Sequence, residues 1–283
     1  MNLFSLVFSP TGGTKKAAEA LCAGFPLPVH TIDLCDAAFD FASLRFTTQD
    51  LCIFSVPSFG GRVPGPAAKR MAAVQGGGAL AVLLTAYGNR AFDDTLVEMK
   101  DLAQAAGFRC VAAVAAVAEH SIARCYAAGR PDDADVQELT GYGNRIYETI
   151  QGNTLPAELR VPGNHPYRTF GGVGMIPLPD ARCNGCGTCA ALCPTGAISP
   201  QDPAQVDAAL CISCMRCVAV CPAHGRHAEA EKVAATEQKL ANLCADRKHN
   251  ALFLLFFQKS KKTRRFCLTF YRLYGLCCPQ KGR

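Results

Sequence analysis

A cysteine pattern that occurs twice constrains this 283-residue chain most strongly. Each copy has the form C-x2-C-x2-C-x3-C-P, and the second follows the first at a displacement of 28 residues. The first copy contributes Cys183, Cys186, Cys189 and Cys193, and the second contributes Cys211, Cys214, Cys217 and Cys221. A displacement of this kind indicates two copies of one half-site folded together.

The chain begins with a strand-like run over residues 2–8 that no basic region precedes. We therefore expect no signal peptide and a cytoplasmic location. In that setting disulfides are disfavoured, so the cysteines predict metal or redox chemistry.

The spacing within each copy indicates iron–sulfur ligands. Three thiolates at three-residue intervals can surround one face of a [4Fe–4S] cluster, while the fourth, which precedes proline, ligates the other cluster. This predicts cluster I on Cys183, Cys186, Cys189 and Cys221, and cluster II on Cys211, Cys214, Cys217 and Cys193. The alternative is zinc, although structural zinc sites usually have two cysteine pairs separated by a longer loop. The segment resembles bacterial-type two-cluster ferredoxins along its whole length. It departs from that repeat after Pro222, where Ala-His-Gly replaces the Thr-Gly-Ala-Ile of the first copy.

The first 153 residues alternate short apolar runs with helical stretches. Near-continuous apolar strands separated by helices are typical of a parallel sheet that is covered on both faces. We predict an α/β fold, a doubly wound five-stranded parallel sheet, followed by a small α+β cluster domain.

Three loops follow predicted strand ends in this first domain, at the edge where open α/β sheets bind ligands. The first is rich in hydroxyls and glycine and precedes a helix, as suits a phosphate, but it lacks the P-loop and dinucleotide motifs. The candidate residues of the three loops are Ser9, Thr11, Gly12, Gly13 and Thr14; Pro57, Ser58, Phe59, Gly60, Gly61 and Arg62; and Ala86, Tyr87, Gly88, Asn89 and Arg90.

These loops resemble the flavin-binding loops of flavodoxins, over roughly the first 150 residues. The resemblance implies FMN, with its phosphate in the first loop and its ring between the second and third. Phe59 or Tyr87 could cover a face of the ring, and Gly60, Gly61, Gly88 and Asn89 could offer backbone groups to its polar edge. The alternative is an empty or altered pocket on the same fold.

The whole chain resembles fusion proteins of anaerobic bacteria that join a flavodoxin-like domain to a two-cluster ferredoxin domain. Their linker commonly carries Gly-Asn-x-Pro-Tyr, which here is Gly163 to Tyr167. The expected division is a flavodoxin-like domain at 1–153, a linker at 154–180, the ferredoxin domain at 181–225, a helical segment at 226–258 and a basic tail at 259–283.

The charge of the chain is unevenly distributed. Eight of the 29 lysines and arginines and none of the acidic residues lie from Lys259 onward, so the rest is close to neutral. This pattern does not indicate a nucleic-acid-binding domain. The longest uninterrupted apolar run, at residues 110–118, has nine residues, whereas a transmembrane helix needs about 20. The tail could contact an anionic membrane, but we favour a poorly ordered extension.

These observations predict an electron-transfer protein that passes electrons between two [4Fe–4S] clusters and FMN and serves redox partner proteins of unknown identity. No catalytic acid or base is required for that role. One alternative is a flavin-dependent reductase fed by the clusters, in which Arg62 or Arg90 binds an anionic substrate. Another is a cluster-based redox sensor.

Overall fold

A computed structural model describes residues 1–152, 155 and 158–254. Its first domain is built on five parallel strands in the order β2-β1-β3-β4-β5. The strands are β1 (Asn2–Val7), β2 (Val29–Asp33), β3 (Asp50–Pro57), β4 (Leu80–Tyr87) and β5 (Arg109–Val117). This is the flavodoxin-like order, whose switch point lies between β1 and β3. The predicted doubly wound fold is confirmed.

Four helices cover the two faces of the sheet. They are α1 (Gly13–Cys22), α2 (Gly65–Ala73), α3 (Thr95–Ala105) and α4 (Asp133–Gln151). Helices α1 and α4 pack together on one face, and α2 and α3 pack on the other. The central strands β3 and β4 are buried on both faces, which explains why their sequences are continuously apolar. Each face of the sheet thus has its own hydrophobic core.

The second domain repeats one small unit. Helix α5 (Thr188–Ala191) and helix α6 (Arg216–Ala219) each follow a left-handed residue, Gly187 and Met215, which are 28 residues apart. Short strands β6 (Leu178–Pro179) and β7 (Arg226–His227) pair antiparallel, and Ile198 bridges Val206. The domain therefore uses residues on both sides of the expected 181–225.

The expected helical segment at 226–258 differs from the structure. Beside β7 it contains helix α7 (Ala230–Leu240) and strand β8 (Ala251–Phe253). Strand β8 pairs antiparallel with β5, so among the described residues the sheet has six strands where five were predicted. The basic tail lies outside the described residues.

The expected linker is held against the first domain in its described part. The Asp94 carboxylate accepts hydrogen bonds from the backbone N–H groups of Asn164, at 2.9 Å, and Arg168, at 2.7 Å. Burial disfavours the Asp94 carboxylate, but these donors hold its pKa below the usual range. The Tyr167 hydroxyl donates to Asp101. The Gly-Asn-x-Pro-Tyr stretch is thus held against α3 and its N-terminal end by these hydrogen bonds.

Candidate functional site

The eight motif cysteines line two separate cavities. One cavity is lined by Cys183, Cys186, Cys189 and Cys221. The other is lined by Cys193, Cys211, Cys214 and Cys217. Each cavity thus takes three cysteines from one copy and the fourth from the other, which is the division that the spacing predicts. The assignment of each cysteine as a ligand stays a prediction.

The donor set of each cavity suits a cluster. The cysteines surround a space instead of meeting at a point, and within the described residues no three His, Cys, Asp or Glu side chains come together closely enough for a single ion. Hydroxyl groups support the sulfur atoms, with Thr188 Oγ1 3.3 Å from Cys186 Sγ and Thr195 Oγ1 3.5 Å from Cys193 Sγ. The hydrogen bond with Thr188 lowers the pKa of the Cys186 thiol and so favours the thiolate that binds iron.

The first loop of the first domain leads into the start of α1. Gly12 has φ +96°, a left-handed conformation that glycine adopts without strain, and open space surrounds the position of a Cβ there. Ser9 Oγ accepts a hydrogen bond of 2.9 Å from the N–H of Lys15. Thr11 is exposed, Gly13 is half-buried and Thr14 is buried. The first turn of α1 has no acidic residue. The positive end of the helix dipole therefore faces a site that suits a phosphate.

The second loop is a tight turn whose arginine already has a partner. The N–H of Phe59 donates to the carbonyl of Arg62 at 3.0 Å, and Phe59 is half-buried. The Arg62 guanidinium contacts both oxygens of Glu98, with Nε–Oε2 2.8 Å and Nη2–Oε1 2.9 Å. Gly60 lies under the ring of Phe170, since a Cβ there would be 2.2 Å from Phe170 Cδ2. The linker thus covers part of this loop.

The third loop is covered by residues 244–250. Asn89 is buried; its Nδ2 donates to the carbonyls of Cys244 and Asp246, both at 2.9 Å, and its Oδ1 accepts from the N–H of Lys248 at 3.0 Å. Tyr87 is also buried, and its hydroxyl donates to the carbonyl of His249 at 3.2 Å. Its ring makes a T-shaped contact with a neighbouring phenylalanine, and the expected contact of Tyr87 with a flavin ring stays a prediction.

The remaining candidates of the second and third loops lie close to those just described. Ser58 Oγ accepts a hydrogen bond of 2.8 Å from Thr95, and Gly88 contacts the ring of His120. Arg90 is paired with Asp93. Pro57 and Ala86 occupy paired positions at the ends of β3 and β4, and Gly61 is buried.

The second cysteine cavity faces the first loop. Its lining includes Arg216 and Pro194. Arg216 Nη1 donates to the carbonyl of Ser9 at 3.3 Å, and its Nη2 lies 3.4 Å from Asp33 Oδ2. Arg70 of α2 donates to the carbonyl of Pro194 at 2.7 Å. The contact between the two domains therefore places the second cysteine cavity next to the first loop.

Sequence reasoning did not identify the residues that make this contact. Arg216 is an x position of the second motif and Arg70 is a helix residue, so neither has a local signal. The break in the repeat after Pro222 was a signal, however, because it places a buried arginine, Arg226, in the lining of both cavities.

Comparison with protein families identifies residues 182–236 as a 4Fe-4S dicluster domain. No curated protein matched the chain. Within the described residues, no helix has both the length and the apolar character needed to cross a bilayer.

Solved structures similar to this chain align with its first half. A flavodoxin from the domain Archaea is 19% identical over 53% of this chain and 99% of its own length, with a TM-score of 0.41. A Streptococcus flavodoxin is 14% identical over 53% and 99%, with a TM-score of 0.37. An azoreductase from Bacillus anthracis is 11% identical over 51% and 100%, also with a TM-score of 0.37. The strand order itself establishes the flavodoxin-like fold. The chain thus combines a flavodoxin-like domain with a 4Fe-4S dicluster domain.

Proposed function

We propose that this chain is an electron-transfer protein with two [4Fe–4S] clusters in its second domain and FMN on its first. The observation that carries the proposal is the contact between the second cysteine cavity and the first loop. Arg216 lies in the sequence between Cys214 and Cys217 and touches the carbonyl of Ser9. A cluster in the second cavity therefore lies on the side of the domain that faces the flavin phosphate site.

The residues of the chain have separate roles in this proposal. When bound, the clusters exchange single electrons and the flavin exchanges one or two. The eight cysteines hold the clusters, and Ser9, Thr11 and the N–H groups around Gly12 bind the phosphate. Of the two aromatic candidates, Phe59 is proposed to contact the ring, because it is half-buried whereas Tyr87 is buried. Outer-sphere transfer needs no proton donor, so no catalytic residue is assigned.

The contacts of two arginines weigh against a reductase of anionic substrates. Arg62 is bound by Glu98, and Arg90 is paired with Asp93. Each guanidinium is therefore already paired with a carboxylate of this chain. The donor and the acceptor of electrons are proposed to be proteins.

The cofactor content of anaerobically purified protein tests the proposal. We expect about eight iron and eight sulfide per chain, with one FMN. Zinc in place of iron would overturn the electron-transfer function. Iron and sulfide without flavin, even after FMN is added, would overturn the flavin half of the proposal.

A charge placed in the first loop tests the phosphate site. We expect Gly12→Asp to weaken FMN binding about tenfold or more, because the new carboxylate repels the phosphate. No atom lies within 4 Å of a Cβ at this position, and the positive φ strains an aspartate and an asparagine alike. The matched control is Gly12→Asn, which has nearly the same shape, tolerates a left-handed backbone and is neutral. The measurement is titration of flavin-free protein with FMN, and equal affinity of the two variants would contradict the assignment.

A further inference from the structure

Arg226 is a buried cation between the two cysteine cavities. It lies on β7, is 2% exposed, and contributes to the lining of both cavities. Burying a guanidinium without a compensating anion is costly, so its surroundings should supply negative charge.

The protein groups around Arg226 supply only part of what it requires. Nη1 donates to the carbonyl of Pro203 at 2.7 Å and to Cys189 Sγ at 3.7 Å. Within the part of the chain that the structure describes, its Nε and Nη2 have no hydrogen-bond partner. The buried Arg130, in contrast, is paired with the carboxylate of Asp135. Two N–H groups of Arg226 thus lack a geometric hydrogen-bond partner among the described residues, while the guanidinium interacts with Cys189 of the first cavity and Cys217 of the second.

The internal repeat has an apolar residue at the position equivalent to this arginine. A displacement of 28 residues relates Arg226 to Ile198 in the first copy. Ile198 is 4% exposed, lines the second cavity and bridges Val206. The half-site thus accommodates an apolar side chain at this position, and the second copy has a charge in its place.

We propose that Arg226 compensates the charge of both clusters and raises the reduction potential of each. This inference rests on the proposed function, since it requires two clusters. A thiolate-bound cluster gains one negative charge when it accepts an electron, and both charge and hydrogen bonds to sulfur set its potential. A fixed positive charge with N–H donors toward both cavities stabilises the reduced form of each cluster. Burial limits screening by solvent, so the effect exceeds that of a surface arginine.

The test compares Arg226→Ile, which introduces the residue of the first copy, with Arg226→Lys, which retains the charge. Arg182→Gln is the matched control, because Arg182 precedes Cys183 but is 57% exposed and paired with Asp180. Iron and sulfide content shows whether the clusters are bound. Potentiometric titration followed by electron paramagnetic resonance gives the potential of each cluster.

In Arg226→Ile with full iron content we expect both potentials to fall, with the equilibrium constant for reduction of each cluster lower by about tenfold. Arg226→Lys should fall less, and Arg182→Gln should stay close to the unmodified protein. Unchanged potentials, or a change in one cluster only, would overturn the inference. If Arg226→Ile does not retain its clusters, Arg226→Gln, which keeps an N–H donor without the charge, is judged by the same outcomes. A parent protein that contains less iron than two [4Fe–4S] clusters require would instead overturn the proposed function.

Discussion

Cys193→Ser is expected to remove the cluster of the second cavity and to spare that of the first. Cys193 belongs by sequence to the first motif, but it lines the cavity of Cys211, Cys214 and Cys217. Replacing its thiolate leaves that cavity with three cysteine ligands, so we expect iron and sulfide to fall to about half. Iron analysis and electron paramagnetic resonance of the reduced protein would measure the loss.

The mirror variant and a neutral variant complete this experiment. Cys221→Ser should affect the cluster of the other cavity, which Cys221 shares with Cys183 and Cys186. Cys110→Ser should leave the iron content unchanged, because Cys110 is buried in the first domain, where burial raises the pKa of its thiol to about 12. Loss of the first cavity's signal alone in Cys193→Ser would contradict the crossed assignment. Cluster binding and folding are coupled in small metal domains, so each variant should also be more easily unfolded.

The second large effect is expected at the buried ion pair that fixes the C-terminal segment. Asp135 accepts from Arg130 Nε at 2.7 Å and from Asn250 Nδ2 at 3.0 Å, and Arg130 also donates to the carbonyl of Lys248 at 2.8 Å. Asp135→Asn leaves the Arg130 charge buried without its partner, so we expect the free energy of unfolding to fall by about 3–5 kcal/mol. Urea unfolding followed by circular dichroism would measure it.

An exposed ion pair is the control for that variant. Arg124 is 75% exposed and contacts Glu119 at 2.5 Å. Surface pairs of this kind contribute about 0–1 kcal/mol, so Glu119→Gln should change the free energy of unfolding by no more than that. Equal losses of unfolding free energy in the two variants would show that the buried pair contributes no more to stability than the surface pair.

The same carboxylate predicts a dependence of stability on pH. Burial opposes its ionisation, but the hydrogen bonds from Arg130 and Asn250 lower the pKa of Asp135 to about 2. The unfolded chain titrates near 3.9, so the folded state binds fewer protons between these values. The contribution of Asp135 is therefore complete above about pH 4 and disappears as the pH falls toward 2. Urea midpoints should differ between the parent protein and Asp135→Asn at pH 7, and the difference should narrow as the pH falls toward 2. A constant difference would contradict this explanation.

Local patterns predicted more of this molecule than long-range contacts did. Apolar runs predicted the parallel strands because burial on both faces requires them, and cysteine spacing predicted the two cavities because it reflects one short half-site. Strand β8, in contrast, has three residues at the start of an apolar run, and only its pairing with β5 defines it. Asn89 carried the signal of a loop residue, whereas its partner Lys248 lies 159 residues further along the chain. No local pattern encodes a contact of that separation.

Strand β8 also changes how the second domain is attached. The chain leaves the first domain after α4, forms the dicluster domain and α7, and returns to pair with β5. The dicluster domain is thus an insertion between two elements of one sheet fold, with an anchor at each end. A domain that is joined through a single flexible linker can move toward a partner, whereas a domain that is connected at both ends has less freedom to move. In the proposed function, a redox partner therefore meets the two cysteine cavities at a position that the sheet fold sets at both ends of the inserted domain.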